Sequence, residues 1–71
     1  MTLDEALDTL SSDDRTIVQR VRDLKNTREV ARELDLTEGR VRHRFFRSIT
    51  RLTAIYPDAH KIIDEIPFTS K

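Results

Sequence analysis

Arg40, Arg42, Arg44, Arg47 and Arg51 fall close together in the chain, with His43 among them. A guanidinium is planar and permanently charged, and it presents its donors as a fork. That fork matches the two oxygens of a phosphate or the acceptor edge of guanine. At a helical period of 100° per residue, Arg40, Arg44, Arg47 and Arg51 recur at spacings of four, three and four and make one stripe. Arg42 flanks the opposite edge, and Gly39 and His43 lie away from the apolar face. Glu38, Gly39, Arg40, Arg42 and His43 open this helix, so they are the residues expected to meet base edges. Arg44, Arg47 and Arg51 are placed for backbone phosphates, which position a protein without reading sequence. Thr27, Arg28 and Thr37 sit at expected helix starts, where free N–H groups attract phosphate. The competing reading is an ordinary solvated helix face.

The stretch that positions these residues runs from Thr27 to Leu52 and reads as two helices joined by a sharp turn. Val30, Ala31 and Leu34 give the first an apolar edge. Asp35 tolerates a left-handed backbone, Leu36 points inward, and Thr37 is suited to cap the second helix. The second, 38–55, has Val41, Phe45, Ser48, Ile49, Leu52, Ile55 and Tyr56 on its inner side. This is the pattern of a helix-turn-helix, whose second helix enters the major groove of DNA.

Upstream, 2–10 reads as a short helix with Leu3, Ala6, Leu7 and Leu10 on one face, capped by Thr2. The span 12–25 reads as a longer one, with Ile17, Val18, Val21 and Leu24 buried and Ser11 or Ser12 as cap. The helix-turn-helix then takes 28–34 and 38–55. Pro57 stops the long helix. Asp58 is a candidate cap for a last helix, 58–66. The fold expected is an all-α bundle of four to five helices in a single domain, 1–71. Phe46 lies off the inner face. With Ile62, Ile63, Ile66 and Phe68 it is a candidate contact for the chain's own tail or for a second copy.

The 71 residues allow one small core. There is no cysteine, hence no disulfide or thiolate metal site. No apolar run approaches the ~20 residues of a membrane span, and the acidic start does not resemble a signal peptide; a cytoplasmic location is expected. Net charge is zero, but unevenly laid out. Residues 1–16 carry five carboxylates against one arginine, and residues 37–56 five arginines against one carboxylate. A basic helix on a neutral chain is a localised electrostatic footprint. Asp58, His60, Asp64 and Glu65 offer only one imidazole, a weak metal pattern. Neither a nucleophile with its base nor a glycine-rich phosphate loop is present, so no enzyme activity, metal or cofactor is expected.

From Ala6 to Leu52, through ALDTLSSDDRTIVQRV and then TREVARELDLTEGRVRHRFFRSITRL, the chain resembles region four of bacterial sigma factors. That domain reads the −35 promoter element and is related to LuxR-type regulators. The LDLT turn and the Thr37-x-x-Arg40-Val41-Arg42 opening are most similar to primary sigma factors. Phe45, a buried residue four beyond Val41, is more similar to extracytoplasmic sigma factors and LuxR proteins. The resemblance implies that Arg40, Arg42 and His43 face DNA. The chain departs from it at Glu38, where primary sigma factors carry a basic residue, and at Gly39, where they carry a base-contacting acid. Both departures point away from the consensus −35 sequence. The sigma domains that bind the polymerase clamp and melt the promoter have no counterpart here. The expectation is a small stand-alone regulator of bacterial or phage origin, or a piece cut from something longer.

Two functions follow. The first is a sequence-specific regulator of transcription bound to double-stranded DNA, as a homodimer or with RNA polymerase, because one small helix-turn-helix buries little surface. The second is a protein-interaction module that binds RNA polymerase or another regulator without reading DNA.

Overall fold

The computed structural model of the chain describes residues 1–66. Five α-helices follow in order: α1 (Leu3–Leu7), α2 (Ser12–Leu24), α3 (Thr27–Leu34), α4 (Glu38–Ile55) and α5 (Lys61–Glu65), with a 3-10 turn at Pro57–His60 before the last. No strand occurs among the described residues, and the architecture is an all-α helical bundle around one core. No helix among them is long and apolar enough to cross a membrane.

Each of the first four helix starts is fixed by a short polar side chain, while α5 follows the 3-10 turn without a side-chain cap. Thr2 and Glu5 form a reciprocal capping box on α1, and Ser11 accepts from the Asp14 N–H on α2. Asn26, rather than Thr27, caps α3 by accepting from the N–H groups of Arg28 and Glu29. Thr37 caps α4 by accepting from the Arg40 N–H at 3.1 Å. Each cap satisfies donors that have no partner inside the helix, typically worth ~1 kcal/mol.

α4 is the central element and packs against α2, α3 and the 3-10 turn. Val41, Phe45, Ile49 and Leu52 are sealed against Ile17, Val18 and Val21 from α2 and Val30 and Ala31 from α3. Ser48 lies in the same buried row, and its hydroxyl has no hydrogen-bond partner among the described residues.

Several expected boundaries move. α1 ends at Leu7 instead of reaching residue 10. Asp8 and Thr9 turn the chain, while Leu10 still reaches the core from outside the helix. α2 ends at Leu24 because Lys25 adopts a left-handed conformation, φ 51° and ψ 36°. Leu24 is consequently 39% exposed, not buried with Val21. Ile55, the last residue of α4, is 46% exposed although the helical wheel puts it near the inner face. The core has been left behind one turn earlier, at Leu52.

The expected last helix, 58–66, begins instead as the 3-10 turn and becomes α-helical only over Lys61–Glu65. Asp58 does not cap it. Pro57 takes the first position, where its fixed φ starts the turn and its missing N–H needs no acceptor. Ala59, Ile62 and Ile66 are buried in the main core, with Ile63 partly buried against it. This removes Ile62 and Ile66 as contacts for a second copy, since the domain's own core already covers them. Phe46 is half-buried, with its ring edge-on to Phe45 at 5.7 Å between centroids. Phe68, named with them from the sequence, lies outside the described residues.

Candidate nucleic-acid interface

The turn between α3 and α4 sets the interface. Asp35 sits at φ 58°, ψ 46°, the left-handed conformation that short polar residues tolerate best after glycine. The Leu36 N–H then donates to the Ala31 carbonyl at 2.8 Å, and the Asp35 N–H to Arg32 at 3.3 Å. These are the crossed bonds of a Schellman-type closure. The half-buried Leu34 and Leu36 pack against the core on either side of the turn, so α4 leaves it at a fixed angle to α3.

Because Val41, Phe45, Ser48, Ile49 and Leu52 face inward, the opposite side of α4 is forced into solvent. Gly39, Arg40, Arg42, His43, Arg47, Thr50 and Arg51 are all exposed. A Cβ built on Gly39 would meet nothing within 4 Å, so no packing inside the chain requires glycine there. Its effect is to lower the profile of the helix's first turn. Thr50 is withdrawn from any contact through its hydroxyl donor, which bonds the Phe46 carbonyl at 2.9 Å.

Ion pairing separates the ten arginines into two groups. Arg15 pairs with Asp8, Arg20 with Asp23 and Glu33, Arg22 with Glu65, Arg28 with Glu38, Arg32 with Glu29, and Arg44 with Asp14. Among the described residues, Arg40, Arg42, Arg47 and Arg51 have no carboxylate within 4.0 Å, and all four are on α4. The basic excess is thus concentrated on the outward face of one helix.

The structure also distinguishes among the residues expected from the sequence. Arg40, Arg42 and His43 stand together on the exposed start of α4 with Gly39. Glu38 does not join them. Its carboxylate turns back to α3, where Oε2 accepts a hydrogen bond from the Thr27 hydroxyl at 3.1 Å. Thr27 is itself buried, so its side chain is a link between helices and not an open phosphate donor. The Thr37 hydroxyl is engaged as the α4 cap. Arg44 splits from Arg47 and Arg51: it is half-buried, and its Nη1 lies 3.9 Å from Asp14 Oδ1. These three arginines, with Ser11, Asp13 and Asp14, line a shallow cleft between α4 and the start of α2. The spacing that puts Arg44, Arg47 and Arg51 in one stripe is visible in the sequence, but the acidic turn facing them is not.

Residues 6–54 match the family model described as sigma-70, region 4. Searches of curated proteins and of solved structures gave no significant match. The matched span contains the turn, the whole of α2 and α3, and nearly all of α4. Its members are DNA-binding helix-turn-helix domains of the transcription machinery and not enzymes. With that span covering most of the chain and the turn geometry in place, the chain belongs to the sigma-70 region 4 family.

Proposed function

We propose that the chain is a sequence-specific transcription regulator that lays α4 in the major groove of double-stranded DNA. The observation that carries this reading is the confinement of the four arginines without a carboxylate partner to the exposed side of α4. Arg40, Arg42 and His43, at the start of the helix, read base edges. Gly39 lets the first turn approach them closely. Arg47 and Arg51 hold phosphates farther along, and Arg44 and Arg28 add to them when released from their acidic neighbours.

RNA polymerase is the natural second partner, since sigma region 4 domains bind both it and DNA. A single module of this size buries too little surface for tight discrimination by itself. The neutral net charge favours the second reading, a module that engages polymerase alone. The test is selection from random double-stranded DNA, with the mass of the bound complex determined. An enriched half-site bound by one chain supports the proposal and a polymerase-assisted reader. An enriched palindrome bound by two chains supports it as a dimer, with a contact surface other than Ile62 and Ile66. Absence of enrichment at low salt, together with capture of polymerase, would replace it with the interaction-module reading.

A further inference from the structure

Glu38 is the one acid in the first turn of the recognition helix, and its carboxylate is spent inside the molecule. Oε2 holds the Thr27 hydroxyl, and Oε1 lies 4.0 Å from Arg28 Nε. One carboxylate therefore meets two α3 side chains, Thr27 and Arg28. The Arg28 side chain remains 77% exposed and that of Glu38 43% exposed, so both stay within reach of an external anion.

We propose that Glu38 is an internal competitor for DNA phosphate, engaging Arg28 in the free protein and releasing it when the DNA backbone arrives. The inference deepens the DNA-binding reading and rests on it. A carboxylate and a phosphate offer a guanidinium the same kind of oxygen pair. The internal pair is long and solvated, and exposed pairs of this sort contribute little. The exchange therefore needs no unfolding. It does have an electrostatic consequence: Glu38 keeps a negative charge beside the arriving phosphate and lowers the yield of that contact. Affinity for DNA is thereby set below what the arginines alone would give, leaving more of the discrimination to Arg40, Arg42 and His43.

The test compares the full chain with its Glu38→Gln variant on a mixed-sequence duplex at 50 and 200 mM salt. Glutamine keeps an oxygen that can accept from Thr27 and removes only the charge. The variant is expected to bind more tightly at both salts. It should also lose more affinity between them, by up to about 3.5-fold, the increment for one full phosphate contact, because the parent makes that contact only in part. Arg28→Ala should weaken binding in both backgrounds, and by more in the Glu38→Gln chain, where no carboxylate competes with the phosphate for that side chain.

Equal affinity with an unchanged salt response would overturn the proposal. So would weaker binding with a lowered melting temperature, the signature of a strap between α3 and α4. If neither chain binds the duplex at 50 mM salt, the DNA-binding reading itself fails and the inference with it, an outcome distinct from two chains that bind alike.

Discussion

Helices α2 and α4 both present arginines to solvent, but the acids around them are arranged differently. On α2, Arg15 meets Asp8, Arg22 approaches Glu65, and Arg20 reaches Glu33 through two bonds of 2.7 and 2.8 Å. Among the described residues, Arg44 is the one arginine of α4 with such a neighbour, and it is half-buried. The difference explains how a chain of zero net charge can carry a strongly basic surface: Asp8 after α1 and acids on α2, α3 and α5 lie mostly against arginines off α4. Arg15 and Arg20 spend donors on the fold, while Arg40, Arg42, Arg47 and Arg51 keep theirs for a ligand.

The sharpest way to break this contrast is Arg42→Ala. Losing a fork-like contact to a base removes roughly 1–3 kcal/mol of discrimination. Preference for the selected site over a single-base variant should fall about 5- to 150-fold, measured by equilibrium binding to both duplexes. Arg42 touches no carboxylate among the described residues, so thermal stability should stay within ~0.5 kcal/mol of the parent. Unchanged site preference would remove α4 as the reader.

A smaller effect is expected from Arg47→Ala or Arg51→Ala. Phosphate contacts do not sense sequence, so affinity should drop by a similar factor for every duplex. The slope of log affinity against log salt should become shallower by about 0.9 per contact. Arg44→Ala should do less, since Asp14 already holds that side chain. A site-dependent loss at Arg47 would move it from the backbone to the bases.

How much of this was legible in the sequence follows from which forces are local. The turn was, because Asp35, Leu36 and Thr37 carry their conformational preferences in their own covalent structure. So was the inward row Val41, Phe45, Ile49 and Leu52, because helical periodicity writes it directly. The end of α2 was not. Lys25 has no special tolerance for the left-handed region, and it is held there by the bond from its N–H to the Val21 carbonyl and by the need to start α3 at once. The 3-10 turn after Pro57 was hidden for a similar reason: Ala59 and Ile62 are both drawn into the core, a tertiary demand. At the interface, residue types identified the arginines but not their partners. Glu38 contacts Thr27 across eleven residues, and Arg44 meets Asp14 across a longer separation still. No periodicity within one helix contains those pairings.

The mildest change is expected at Arg20, and it tests the other half of the comparison. The hydrogen bond from Arg20 holds the Glu33 carboxyl below its ordinary range; partial burial opposes this, and charge attraction adds to it. The same pair raises the already high Arg20 value, first through the hydrogen bond to Glu33, which has no consequence near neutral pH. A carboxyl whose value is lower in the folded state stabilises the fold fully above its unfolded value. That contribution disappears as pH falls through the lowered folded value. The parent and Arg20→Ala should therefore differ in stability near pH 7, the variant melting slightly lower. Their melting temperatures should converge as the pH falls below the ordinary carboxylate range. DNA affinity at neutral pH should be unchanged, because Arg20 serves α2 and α3 and not the groove-facing surface. If Arg20→Ala weakened DNA binding as much as Arg42→Ala, ion pairing would no longer separate the cations that build this fold from those that use it.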